Sequence, residues 1–100
     1  MDAALSLTGL IEEFNSLLGA QDFEGAEMLA EGALGRDTRA DSHLHYSLGR
    51  MYVQWNKLTS AVNHLNKAAE LAKSGGDDLF VLQIVEELKV AKQRQLRQAP

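Results

Sequence analysis

The chain contains no cysteine and a single proline, Pro100, at its last position. The absence of cysteine excludes disulfides, thiolate chemistry and thiolate metal sites, and it is typical of a reducing compartment. The scarcity of proline leaves almost the whole chain free to be helical. We therefore expect a helical protein of the cytoplasm.

Long apolar runs are also missing, because no segment approaches the roughly 18 consecutive apolar residues that a membrane span needs. No lysine or arginine precedes Arg36, whereas a secretory signal begins with a positively charged segment. These features predict neither a membrane protein nor a secreted one. With 100 residues, 45% of them hydrophobic and 24% charged, the chain has the size and composition of one globular domain.

The net charge of −4 is distributed unevenly along the chain. Residues 1–35 contain seven acidic residues and no lysine or arginine, whereas residues 88–100 contain four basic residues and no acidic one. The simplest interpretation is solubility, and the alternatives are head-to-tail contact between copies or a basic partner. The basic set is too short and too close to the terminus to indicate nucleic-acid binding.

Sparse turn signals separate five stretches with helical periodicity. The predicted helices run from Ser6 (or Asp2) to Leu18, Phe23 to Leu34, Arg39 to Trp55, Leu58 to Lys73 and Asp77 to Gln98. Asp22 is placed to cap the second helix, and Asp37 or Thr38 to cap the third. Since short connections make neighbouring helices antiparallel, this pattern predicts an all-α fold, either a bundle or stacked hairpins.

Internal repetition at a spacing of 35 residues favours stacked hairpins. The shift aligns apolar or small residues of the two units: Leu17 with Tyr52, Phe23 with Leu58, Ala26 with Ala61, Ala30 with Leu65, and Ala33 with Ala68. Each unit is then a helix, a tight turn and a second helix whose packing face carries alanines. Small side chains at these positions let helices approach closely.

The run from Tyr46 to Tyr52, which contains Leu48-Gly49, is followed at repeat spacing by Ala61, Leu65 and Ala68. This pattern resembles the tetratricopeptide repeat family, whose period is about 34 residues, and the resemblance covers about residues 7–90. It implies that Gly49 is the close contact between paired helices and that Tyr52 fills the space between them. In the first unit Phe14 stands where Gly49 stands in the second, and both units lack the proline that often ends a repeat.

The resemblance implies an all-α, right-handed stack of antiparallel helix hairpins, a TPR-like α-solenoid of five helices in a single domain spanning residues 1–100. Repeat one would cover about residues 7–41, repeat two about 42–76 and a capping helix about 77–98. The last helix becomes increasingly polar toward its end, which suits a cap whose outer face meets solvent.

No motif indicates catalysis, a cofactor or a metal. His43 and His45 are two residues apart and point to different faces of a helix, and no metal-binding motif accompanies them or His64. The Gly75-Gly76 pair lacks the preceding strand and the Gly-Lys-Ser/Thr of a phosphate-binding loop, and it is better explained as a helix stop. We therefore predict a protein that is not an enzyme and holds neither cofactor nor metal.

In the repeat family, the first helices of successive pairs line a concave groove. The predicted partner-binding residues are Ile11, Glu12, Asn15, His43, Tyr46, Ser47, Arg50, Val53 and Gln54. Thr8 and, from the fifth helix, Leu79, Leu82 and Glu86 are further candidates. Tyr46 and Arg50 rank first, because these residue types often dominate interface energies.

The resemblance implies a non-catalytic interaction module that binds a protein or peptide partner in this groove. Two alternatives stay open: a self-associating scaffold module that forms homo-oligomers, and a regulatory helical subunit of an enzyme complex. A carboxylate clamp for a peptide C-terminus is disfavoured, because only Arg50 and Asn15 resemble the groups that such a clamp uses.

Overall fold

The computed structural model describes residues 6–98, and in that range it consists of five α-helices without a strand. The helices are α1 (Leu7–Gly19), α2 (Phe23–Ala33), α3 (Thr38–Gln54), α4 (Leu58–Ser74) and α5 (Asp78–Gln98). The predicted all-α fold of five helices is confirmed, with every boundary within one residue of its predicted position. The alternative start of the first helix at Asp2 lies outside the described residues.

Three of the four connections between helices are the same three-residue turn. In each, the N–H of the third turn residue donates to the carbonyl five residues earlier, at 2.8 to 3.0 Å. The middle residue has a left-handed backbone; these residues are Gln21 (φ 59°), Asn56 (φ 61°) and Gly76 (φ 77°). Together these features define the Schellman motif. The first two turns are 35 residues apart, so the backbone repeats at the spacing seen in the sequence.

The connection between α2 and α3 is different. Gly35 has the positive φ there, at 89°, and its N–H donates to both carboxylate oxygens of Asp41 at 3.0 and 3.1 Å. Asp41 belongs to the first turn of α3. A side chain of α3 therefore closes the loop that joins the two hairpins, whereas the backbone hydrogen bonds of the Schellman motif close the other three connections.

Aspartate or serine side chains cap four of the five helices. Ser6, Asp22 and Asp37 accept hydrogen bonds from the first-turn N–H groups of α1, α2 and α3. Asp77 accepts a hydrogen bond from the N–H of Phe80 in the first turn of α5. The predicted caps of the second and third helices are thus confirmed, with Asp37 as the cap of the third. Helix α4 is the exception, because it begins after Lys57 and has no side-chain cap.

Helix α3 is the centre of the molecule. Each helix contacts the next along the chain, and α3 also contacts α1 and α5. It buries eight residues, more than any other helix. The Cα positions occupy 52 × 33 × 18 Å, and the odd-numbered helices are neighbours within this flat shape.

Gly49 lies at the closest approach of α3 and α4, as predicted. A Cβ atom built on it would lie 2.6 Å from both Cγ and Cδ2 of Leu65, a side chain that is fully buried. A larger residue would therefore force the two helices apart. The small residues at repeat positions are fully buried as well, namely Ala26, Ala30, Ala61 and Ala68.

Five stacked rings join the first hairpin to the second. In order, the stack consists of Phe23, Trp55, Tyr52, His64 and His45, with ring centroids 5.1 to 6.0 Å apart. The hydroxyl of Tyr52 donates to the Glu27 carboxylate of α2. Burial, together with this hydrogen bond, raises the pKa of Tyr52. The stack and the hydrogen bond hold α2 against α3 and α4.

Candidate functional site

Two adjoining cavities form one groove, the larger between α1, α3 and α5 and the smaller between α1 and α3. The larger, of about 220 Å³, is lined by Ile11, Asn15, His43, Tyr46, Ser47, Arg50, Phe80 and Gln83. The smaller, of about 100 Å³, is lined by Phe14, Asn15, Leu18, Ser47, Arg50 and Gln54. Asn15, Ser47 and Arg50 belong to both, so the two cavities share one polar wall. We call their combined lining the groove.

Seven of the nine predicted partner-binding residues line this groove. The exceptions are Glu12, which is exposed on α1 and lines neither cavity, and Val53, which is buried. Val53 is 9% exposed and lines neither cavity, so it is a core residue and not part of the groove as predicted. Beside it, a guanidinium nitrogen of Arg94 donates a hydrogen bond to the Val53 carbonyl at 3.3 Å and links α5 to the end of α3.

Helix α5 presents different residues to the groove from those suggested by the sequence. Phe80 and Gln83 line it, whereas Leu79 and Leu82 are exposed, at 81% and 63%, and line neither cavity. The buried face of α5 consists of Phe80, Ile84, Leu88 and Ala91. This face determines the rotation of the helix and turns Leu79 and Leu82 outward.

Tyr46 is a structural residue at the side of the groove rather than a free anchor. Its ring packs edge-on against Phe80, with centroids 5.2 Å apart, and its hydroxyl accepts a hydrogen bond from Gln83 at 3.2 Å. Only 8% of Tyr46 is exposed. The residue therefore fixes α5 on α3, and a partner would reach little more than its edge.

Arg50 is the exposed cation of the groove. Its guanidinium carbon lies 5.7 Å from the centroid of the Tyr46 ring, a cation–π distance. Among residues 6–98, no carboxylate lies within salt-bridge distance of Arg50. Since Asn15 and Ser47 line the same two cavities, the groove offers one positive charge beside neutral hydrogen-bonding groups.

His43 forms another part of the groove wall. Its ring stacks on Phe80, with centroids 4.2 Å apart and planes inclined by 18°. Burial lowers the pKa of His43, the positive charge of Arg39 lowers it further, and Asp77 acts in the opposite direction. The imidazole is therefore neutral near pH 7 and offers one donor and one acceptor.

A second histidine cluster lies outside the groove, where α3 packs against α4. The Nδ1 atoms of His45 and His64 are 2.9 Å apart, so one ring donates a hydrogen bond to the other. Burial lowers the pKa of both groups. This pair was not predicted from the sequence. The register of the two antiparallel helices could have revealed it. Gly49 lies close to the Ala61 carbonyl, so His45, four positions before Gly49, lies opposite His64, three positions after Ala61.

The chain matches no protein-family model. It also matches none of the curated proteins and none of the solved structures. The geometry of the groove is therefore the basis on which a function can be assigned.

Two larger clefts lie at turns, the first lined mostly by polar residues and the second by polar and small or apolar residues in equal number. One, of about 530 Å³, is lined by Asn56, Lys57, Leu58, Thr59, Ser60, Gln95 and Gln98. The other, of about 500 Å³, lies between the start of α3 and the turn that precedes α5. Neither contains a cluster of charged side chains. Across residues 6–98, no three His, Cys, Asp or Glu residues are placed to hold a metal ion.

None of the helices in the described part of the chain is long and apolar enough to span a bilayer.

Proposed function

We propose that the chain is a non-catalytic interaction module of the tetratricopeptide type, which binds a protein or peptide partner in the groove. The observation that carries this proposal is the composition of the groove. Three helices that alternate along the chain (α1, α3 and α5) line it together, and α3 contacts the other two. A surface built in this way accepts an extended or helical segment of another chain.

The proposed architecture is a right-handed stack of two helix hairpins and a capping helix. Supporting it are the two identical turns 35 residues apart and the Gly49–Leu65 contact. The short axis of 18 Å also fits two layers of helices, since packed helix axes are about 8–10 Å apart. In this arrangement α1, α3 and α5 form the inner layer, and α2 and α4 form the outer one.

The side chains of the groove suit a partner segment with both apolar and polar groups. Ile11 and Phe80 provide apolar contact, and Asn15 and Gln83 provide amide donors and acceptors. Arg50 adds a charge that is available to a carboxylate or to a backbone carbonyl of the partner. Ser47 and His43 both line the larger cavity, but no hydrogen bond joins the Ser47 hydroxyl to the His43 ring, as activation of a nucleophile by a base requires.

Selection from a random peptide library, followed by calorimetry on the selected peptides, tests the proposal. We expect Arg50→Ala to weaken binding by about tenfold, equivalent to about 1.4 kcal/mol. Arg36→Ala is the matched control, because Arg36 is exposed in the α2–α3 loop and lines neither groove cavity. Amide chemical shifts should change around Asn15 and Ser47 when a selected peptide binds.

Peptides that bind equally well to Arg50→Ala and to the unmodified chain, with shift changes outside α1, α3 and α5, would exclude the groove as the binding surface.

A further inference from the structure

The two ends of the molecule carry opposite charge. Among the described residues, α1 and α2 contain acidic residues and no lysine or arginine, whereas α5 from residue 88 onward contains four basic residues and no acidic one. Helix α5 has no contact with α1 or α2. The basic residues at the end of α5 therefore form no contact with the acidic residues of α1 and α2. Within α5, Lys89 forms an exposed ion pair with Glu86 at 3.3 Å, which a contact with another copy would have to replace.

The outer face of α5 has no partner within the described part of the chain. Its inner face packs on α3 and α4, whereas Leu79, Leu82 and Leu96 are 81%, 63% and 77% exposed. Leu96 lies about 20 Å along the helix from Leu82, so its neighbours are the charged residues at the end of α5 rather than the other two leucines. Near the end of α5, Leu96 lies on the same side as Lys89 and Lys92, at positions i, i+3 and i+7. We call these three residues the basic stripe.

The outer face of α2 has the complementary pattern. Glu24, Met28 and Glu31 occupy positions i, i+4 and i+7 and are all exposed, with Met28 73% exposed. An apolar side chain thus lies between two carboxylates on α2, and another lies beside two ammonium groups on α5. We call the α2 residues the acidic stripe.

We propose that the acidic stripe of one copy binds the basic stripe of a second copy, head to tail. Met28 would then pack against Leu96, and the glutamates would lie opposite the lysines. A copy is the occupant that the structure favours, because both complementary surfaces are present on every molecule. Such a contact is heterologous: it leaves one stripe free at each end of a pair, so assembly continues as an open chain.

This contact differs from the groove, which uses the inner surfaces of α1, α3 and α5. Its energy comes mainly from exposed charges, and salt screens such charges strongly. We therefore expect weak, concentration-dependent association that disappears at high ionic strength.

Sedimentation equilibrium of the full chain at about 0.05 M and about 0.5 M salt tests this, because the Debye length falls severalfold between these concentrations. In low salt the average mass should rise above the monomer value of 11.0 kDa as the concentration increases, and in high salt it should stay at that value. A monomer at every concentration in low salt would overturn the proposal.

Two variants identify the surfaces. The first replaces the acidic stripe by glutamine (Glu24→Gln, Met28→Gln and Glu31→Gln), and the second replaces the basic stripe (Lys89→Gln, Lys92→Gln and Leu96→Gln). Glutamine preserves helix propensity, and all six positions are exposed. Each variant alone should be monomeric in low salt. A mixture of the two should form a one-to-one pair that does not grow, because each variant contributes one intact stripe.

The matched control, Lys67→Gln with Glu70→Gln, removes an exposed ion pair of α4 and should associate like the unmodified chain. Arg50→Ala should also leave association unchanged, which separates this contact from binding in the groove. Association that persists in both stripe variants, or a mixture that stays monomeric, would overturn the proposal.

Discussion

The first hairpin (α1 and α2) and the second hairpin (α3 and α4) share a turn of the same shape, yet they differ in length and burial. Helices α1 and α2 have 13 and 11 residues, whereas α3 and α4 have 17 each. Phe14 is the one buried residue of α1, and α3 buries eight. Among the described helices, α3 contacts four others, whereas α1 contacts α2 and α3. The number of neighbouring helices therefore decides burial more than the shared turn does.

The two hairpins also differ in which helix carries the large residue and which carries the small one at equivalent packing positions. In the second, Gly49 on α3 makes room for Leu65 on α4. Thirty-five residues earlier the sizes are exchanged, with Phe14 on α1 and Ala30 on α2, and both are fully buried. The sequence pattern alone makes Phe14 look like a departure from the motif. The structure suggests instead that a large and a small residue have changed places.

The largest expected effect tests this exchange. Phe14→Ala should lower the free energy of unfolding by about 3–5 kcal/mol, and Ala30→Leu should lower it by about 1–3 kcal/mol through overpacking. If leucine at position 30 fills the space left by Phe14, the double variant should be more stable than the sum predicts, by about 1–3 kcal/mol. Urea denaturation measures all three. Strict additivity would mean that the two positions do not share one space.

The substitution Gly49→Ala tests the contact between Gly49 and Leu65 in the second hairpin. The new methyl would meet the buried Leu65 side chain, so overpacking should exceed the gain in helix propensity and give a net loss of about 1–2 kcal/mol. Gly32→Ala is the matched control, since no atom lies within 4 Å of the added Cβ. It should stabilise the chain by about 0.5–1 kcal/mol. Equal thermal shifts in the two variants would contradict the close contact.

The two turns differ at their cap position, and this difference predicts a smaller effect. Asp22 caps α2, whereas Lys57, at the same place in the second turn, leaves α4 uncapped. The backbone angles of the two residues are similar, with ψ at 73° and 75°. Lys57→Asp should therefore add a cap worth about 1 kcal/mol and lose a cation–π contact with Trp55 worth about 0.5 kcal/mol.

Asp22→Ala is the reciprocal change and should cost about 1 kcal/mol. Thermal denaturation of both variants measures the pair. A Lys57→Asp protein less stable than the unmodified chain would mean that the lysine contributes more through the Trp55 ring than a cap can.

The smallest expected effect is the pH dependence of the free energy of unfolding. The histidine pair belongs to the second hairpin, and the first hairpin contains no histidine. Burial lowers the pKa of His45 and of His64. The proximity of His64 and of Lys67 lowers the pKa of His45 further, whereas Asp41 raises it; Glu31 and Glu27 oppose the shift of His64. Each folded pKa lies below the unfolded value of about 6.5, so the unfolded chain binds more protons.

The free energy of unfolding should therefore be greatest above pH 6.5 and decrease as the pH falls through that value. Urea denaturation between neutral and mildly acidic pH measures this slope. His64→Phe keeps a ring in the stack but removes one titrating group, so its slope should be smaller. A protein that gains stability on acidification in this range would contradict the lowered pKa values of His45 and His64 in the folded state.

The sequence predicted the helices, two caps and the Gly49 contact correctly, because these depend on local patterns and on one internal repeat. It placed Leu79 and Leu82 of α5 near the groove, although the buried residues of α5 recur at helical spacing and mark a different face, namely Phe80, Ile84, Leu88 and Ala91. It did not predict the burial of Val53 or the pairing of His45 with His64. The burial of Val53 depends on how α5 packs beside α3, and the histidine pair depends on the register of α3 against α4. The spacing of residues within one helix encodes neither.

The ring stack gives the molecule a built-in optical reporter. Trp55 is the single tryptophan of the chain, and it lies between Phe23 of the first hairpin and Tyr52 of the second. The Lys57 ammonium lies 3.7 Å from the centroid of its ring. If the first hairpin detaches while the second stays folded, Phe23 leaves and water reaches one face of the indole. Its fluorescence emission would then shift to longer wavelength before the helical circular dichroism signal of the longer helices is lost.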